Sequence, residues 1–189
     1  MTGLTLLYRT LLLDKQAIQT LSESKQWNMW ARIVVIALGV VYGIFSIRQN
    51  ATYIASFETD FLRTLVVPGI FIFFGIVTMV LTRLGLALLL WAGARGLGGP
   101  GFVRNLTRAS SFALIPSMLA IPAFISLGAN DSISIIQGLA TLLGIIWIYR
   151  ICVKTLETTQ GFMRWRANVA VIAIFIFFIC IYYIVTPPS

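Results

Sequence analysis

Five apolar runs, each about as long as a bilayer is thick, dominate this chain and leave few folds open to it. They occupy residues 30–47, 65–82 with a continuation to 92, 109–127, 133–153 and 169–185. A spanning helix needs about 20 mostly apolar residues to cross about 30 Å of hydrocarbon. In lipid every backbone N–H and C=O must also be satisfied within the segment, which selects helices. Of the 189 residues, 59% are apolar and 11% charged, whereas soluble domains carry about a quarter charged residues. The predicted fold is all-α: a polytopic integral membrane bundle of five transmembrane helices preceded by an interfacial amphipathic helix. Residues 1–29 form the N-terminal interfacial segment, 30–185 the membrane domain and 186–189 a short tail.

Lysine and arginine set the orientation, because cytoplasmic flanks retain positive charge during insertion. Arg9, Lys15, Lys25 and Arg32 precede or open span one; Arg83, Arg95, Arg104 and Arg108 lie between spans two and three; Arg150, Lys154, Arg164 and Arg166 lie between spans four and five. Only Arg48 and Arg63 fall on the opposite side. The N-terminus is expected in the cytoplasm and the C-terminus outside a cell membrane crossed several times. Most of the formal net charge of +8 is then topological, directed at anionic lipids of the inner face and not at nucleic acid. Trp27, Trp30 and Trp165 on the inner side, with Tyr182 and Tyr183 near the outer one, suit an interfacial aromatic belt.

The N-terminal run is not expected to be a signal peptide, since Arg9 interrupts it, no basic region precedes it and no small-x-small site follows. Leu4, Leu7, Leu11 and Ile18 recur at helical spacing opposite Arg9 and Lys15, as in a helix lying at the inner interface to anchor the chain or to dock a partner. Asn50-Ala51-Thr52 and Asn105-Leu106-Thr107 match the glycosylation sequon; the second is expected inside, and the first lies too near the membrane to carry weight.

Residues able to do chemistry are scarce. The chain has no histidine, and its six acids (Asp14, Glu23, Glu58, Asp60, Asp131, Glu157) all lie in termini or loops. Paired intramembrane carboxylates, a proton relay and a His-Glu-x-x-His metal site are therefore not available. Ser110, Ser111 and Ser117 lack an activating base, and Cys152 and Cys180 read as packing residues. Neither an enzyme, a cofactor nor a metal is expected. Gly96 to Gly101 lacks the lysine-serine ending of a phosphate-binding loop and reads as a turn.

The remaining candidates are polar or proline residues within spans. Arg83 interrupts span two: it snorkels at the inner edge, or, if the span slides inward, it lies in the membrane and needs an acidic or carbonyl partner. In the first case Leu84, Leu86, Leu90 and Trp91 continue the helix beyond the bilayer and need a cover, either the N-terminal segment or a partner subunit. They are the candidate docking residues. Pro116 and Pro122 each remove a hydrogen bond from span three and kink it, as a static bend or a hinge. Gln137 is expected to hydrogen-bond within the bundle and Arg150 to snorkel at its inner edge. Gly39-x-x-x-Gly43 offers a close helix contact, internal or between two copies.

Three stretches together give the chain a family likeness. Leu7 to Asp14 followed by Trp27 and Ala31, Gly98-Gly99 with Phe102 and then Ala113 to Pro116, and Leu156, Gln160-Gly161 and Ala167 to Val171 resemble, in order and spacing, the Yip (Ypt/Rab-interacting protein) domain family in its prokaryotic, five-span form. The likeness covers about residues 7–185. Eukaryotic relatives are secretory-pathway adaptors that bind small GTPases through a cytosolic Asp-Leu-Tyr-Gly-Pro type motif; that motif is absent, so GTPase binding is carried to no residue here. Some prokaryotic relatives resemble accessory partners of export machinery. The resemblance implies a non-enzymatic membrane adaptor or accessory subunit, working with a protein partner or as a homo-oligomer. The alternative is a small permease or channel subunit that uses the proline-broken third span.

Overall fold

The computed structural model of the chain describes residues 3–24, 26–128 and 133–185, and all regular structure among them is helical. Lys25, Asp131, the tail 186–189 and the side chains of Tyr182 and Tyr183 lie outside the described residues. Two short helices come first, α1 (Gly3–Leu11) and α2 (Lys15–Glu23), followed by α3 (Trp27–Gln49) and a short α4 (Ala51–Ala55). A π-helical turn (Leu62–Val66) leads into α5 (Val67–Gly96); α6 (Val103–Ala113), a 3-10 segment (Ile115–Ala120) and α7 (Ile121–Gly128) follow; α8 (Ile135–Gln160) and α9 (Arg164–Val185) complete the chain.

Among the described residues, three helical stretches are long and apolar enough to cross a membrane: Trp27–Gln49 with 23 residues, Leu62–Gly96 with 35 and Ile135–Gln160 with 26. Their surfaces call for an apolar solvent. Only 11% of the most apolar stretch of Leu62–Gly96 is buried inside the protein, and Ile36, Ile44, Phe73, Phe74, Leu139, Leu142 and Ile146 are exposed along these helices. In α9, 22 residues long, Ile172, Ile176, Phe177 and Ile179 are exposed in the same way.

Successive long helices reverse direction, which gathers the arginine- and lysine-rich connections at one end, the basic end. α3 and α5 are antiparallel: a methyl group added at Gly39 would lie 2.5 Å from the Cα of Ile76, and one at Gly43 would lie 2.5 Å from the Cα of Ile72. Only glycine permits this backbone approach. The glycine pair of span one thus packs inside the chain, and Gly75 of α5 completes the crossing by facing the backbone of Gly39 and Gly43. The main core lies towards the basic end. Leu86, Leu90 and Ala94 of α5 meet Leu106 and Ala113 of α6, Ile151, Cys152 and Leu156 of α8, and Ala167, Ala170, Val171 and Ile174 of α9.

The third apolar run is not one continuous helix. Pro116 has no N–H to offer Phe112, so the ladder tightens and Ser117 N–H bonds the Leu114 carbonyl at 3.0 Å; Pro122 removes the next bond, and Ile121 N–H turns to Met118. The 3-10 segment is held on both sides. Tyr42 of α3 donates to the Ser117 carbonyl at 3.1 Å, and Gly144 of α8 lies so close that an added methyl would be 2.8 Å from the Pro116 carbonyl oxygen. Pro68 has the opposite effect at the start of α5: its missing N–H widens the first turn, and Val67 N–H reaches back to Leu62.

The N-terminal segment also differs from the expected single interfacial helix. It forms two helices that turn at Leu13 and Asp14, where Leu13 adopts a left-handed backbone (φ 64°) and Asp14 caps α2 through Gln16 N–H. Leu6, Ala17, Ile18 and Leu21 are buried in the protein against α6 and α8 and not laid on its surface. The reason is that Ala31 of α3 and Phe112 of α6 offer Leu6, Ala17 and Leu21 an apolar surface, with hydrogen-bonding groups at its rim.

Candidate functional site

Those rim groups centre on Arg108, whose residue surface is 3% exposed. Its Nε donates to Asn28 Oδ1 at 2.6 Å, and its Nη1 donates to the carbonyls of Ser22 at 2.8 Å and Glu23 at 3.1 Å. The two carbonyls belong to the last turn of α2, where the helix leaves acceptors unsatisfied and its dipole favours a cation. One guanidinium therefore joins three elements: the end of α2, the start of α3 and the middle of α6. Burial, and secondarily Arg104 one turn earlier, pull its pKa below the ordinary arginine value, yet a guanidinium stays charged at any physiological pH. A second tie runs from Trp147 Nε1 of α8 to the Leu11 carbonyl that ends α1, at 2.8 Å.

Beside these ties opens a cleft of about 610 Å³. Four cations line it: Lys15 at the start of α2, Arg150 and Lys154 on α8, and Arg164 at the start of α9. Glu157 is the one acid in the lining, and it pairs with Lys154 at 3.0 Å. Among the described residues Lys15, Arg150 and Arg164 enter no ion pair. Tyr149 donates to Asn168 Oδ1 across the α8–α9 hairpin, and Asn168 in turn donates to the Arg164 carbonyl at 2.7 Å. Leu13, Val153, Phe162 and Met163 supply apolar wall. The cleft therefore combines excess positive charge, fixed polar groups and an apolar lining, a combination suited to an amphiphilic anion.

The residues singled out from sequence are dispersed over the fold. Leu86 and Leu90 are 4% and 1% exposed within the main core, so the chain itself supplies their cover through α6, α8 and α9, and neither is open to a partner. Leu84 stays 43% exposed, and Leu88 beside it 53%. Trp91 is half-buried against the core. Arg83 Nε donates to the Thr107 carbonyl at 3.1 Å, so its partner is a carbonyl on α6. Pro116 is buried and Pro122 exposed. Gln137 closes a capping box with Ser134 at the start of α8 and also accepts from Ser126 of α7 at 3.1 Å, so it mainly caps its own helix.

Arg108 and the cleft escaped the sequence reading because both look like ordinary inner-face charge. One signal was available for the cleft: Arg150, Lys154 and Glu157 follow one another at helical spacing, a polar stripe on an otherwise apolar helix. For Arg108 there was none, since its acceptors, the Asn28 side chain and two backbone carbonyls, lie 80 to 86 residues away. No protein-family model, curated protein or solved structure matches the chain.

Proposed function

We propose that this chain is a non-enzymatic integral membrane adaptor or accessory subunit that spans the cell membrane five times. Its N-terminus is cytoplasmic, its C-terminus outside, and its basic end faces anionic lipids at the inner leaflet. The Yip-like order of motifs supports a trafficking or export-related role. The observation that carries the reading is the length of α5 with its entry turn: 35 residues at 1.5 Å each extend about 52 Å, well beyond about 30 Å of hydrocarbon. Counted from Leu62, Leu84 and Leu88 fall about 33 and 39 Å along this helix, past the hydrocarbon, and both are exposed. Apolar side chains presented there favour a protein partner over water.

Extraction in mild detergent followed by native mass spectrometry tests the reading. A partner at fixed stoichiometry that is lost from a Leu84→Asn, Leu88→Asn variant, with fold retained, is the expected result. A lone monomer or a homo-oligomer indifferent to those substitutions argues for the second reading, a small permease or channel subunit. The broken helix at Ile115–Ala120 favours that alternative, since discontinuous helices line paths in transporters. Liposome flux with Pro116→Ala and Arg83→Gln variants is its direct assay.

A further inference from the structure

We infer that the cleft between α2, α8 and α9 is a binding site for the phosphate headgroup of an anionic phospholipid, held by Arg150, Arg164 and Lys15. The inference rests on the membrane-spanning reading above. Three cations without acidic partners converge there from three helices, while Lys154 is neutralised by Glu157. Spreading like charges around a cavity is unfavourable unless an anion occupies it, and guanidinium groups match phosphate oxygens bidentately.

Depth and lining distinguish a lipid from a free ion. Counted from Ile135, Arg150 stands about 22 Å and Lys154 about 28 Å along α8, so the cleft opens where about 30 Å of hydrocarbon gives way to headgroups. Leu13, Val153, Phe162 and Met163 in the wall offer nothing to inorganic phosphate but can cover glycerol and the first acyl carbons. Met163 and Trp165 next to the cleft are exposed, suited to the interfacial layer. Tyr149 and Asn168, bonded to each other, span the α8–α9 pair and keep the two arginine-bearing helices in register. Basic pockets between membrane helices on the cytoplasmic side are a recurrent means of holding anionic headgroups.

The test is native mass spectrometry of the full-length chain purified in mild detergent and titrated with phosphatidylglycerol, phosphatidylcholine or water-soluble glycerol phosphate. Phosphatidylglycerol is expected to remain bound at fixed stoichiometry while the other two do not. An Arg150→Gln, Arg164→Gln variant is expected to bind it about thirtyfold more weakly, from the loss of two juxtamembrane charges. An Arg48→Gln, Arg63→Gln variant, altered at the other end, is expected to bind normally. Equal affinity in wild type and the cleft variant overturns the site, and equal retention of phosphatidylcholine overturns anion recognition. Equal affinity for glycerol phosphate assigns the cleft to a soluble phosphate ester and overturns the lipid. Thermal unfolding checks that the double variant is folded; should it fail, Lys15→Gln alone is expected to weaken binding about fivefold, and no change in it overturns the site. Recovery of the chain outside membranes overturns the spanning reading together with this one. A membrane-embedded chain without lipid preference overturns the cleft alone.

Discussion

The two ends of the bundle are built on different principles. At the basic end, side chains from α5, α6, α8 and α9 interlock around Leu90, Leu106 and Leu156, and Arg108 binds the N-terminal helices to this core. Towards the other end the helices present isoleucine, leucine and phenylalanine outward, and α3 and α5 meet backbone to backbone at their glycine crossing. On the membrane-spanning reading proposed above, the contrast follows from solvent. Where lipid covers a helix, burying apolar side chains against protein gains little over leaving them in hydrocarbon, and close backbone packing has to hold the pair. Where headgroups and water begin, apolar burial regains its driving force, and polar groups must find partners.

The sharpest way to break this contrast is at Arg108. Arg108→Met leaves the Ser22 and Glu23 carbonyls and Asn28 without their donor, and is expected to cost about 3 to 5 kcal/mol. It should free α1 and α2 to proteolysis around residues 24–26 while α3 and α5 stay paired; unchanged protection would show that burial alone holds the segment. Leu90→Ala should cost about 3 kcal/mol in unfolding from detergent, against less than about 0.5 kcal/mol for Leu88→Ala, which removes an exposed side chain. Equal losses would mean that the α5 extension is not packed as described.

Effects at the glycine crossing are expected to be smaller. Gly75→Ala forces a methyl to 2.5 Å from the Gly39 carbonyl oxygen, an overpacking worth about 2 kcal/mol. It should increase the distance between spin labels on α3 and α5 without loosening α1 and α2. Gly85→Ala on the same helix has nothing within 4 Å and should be neutral or gain about 0.5 kcal/mol. Last, Ser134→Ala removes the capping box of α8 and should cost about 1 kcal/mol, read as faster amide exchange at Gln137 with the basic-end core unaffected.

Hydropathy made the long helices legible in advance. α3, α5 and α8 begin within a few residues of the expected runs, because a stretch free of charge is visible without knowing its neighbours. Their ends are less so: α8 continues to Gln160 and α9 starts at Arg164, since protein contacts extend a helix past the point where lipid would stop requiring it. Pro116 and Pro122 announced a disruption, but a 3-10 segment wedged between Tyr42 and Gly144 depends on partners 75 residues before and 28 after, and sequence spacing carries no trace of either. The amphipathic stripe of the N-terminus was visible too, though not which apolar surface it meets. The cleft was the least legible feature, being assembled from Lys15, Arg150 and Arg164, which meet only after the bundle has closed.

The ties that hold α1 and α2 also set an order of manufacture. Arg108 lies 86 residues beyond Ser22, and Trp147 lies 136 residues beyond Leu11, so α1 and α2 are made well before the groups that seat them. At roughly 5 to 20 residues per second, the interval between making Leu11 and making its partner is on the order of ten seconds. Until α6 is made, the stripe containing Leu6, Ala17 and Leu21 lacks the Phe112 side chain that buries it in the finished protein.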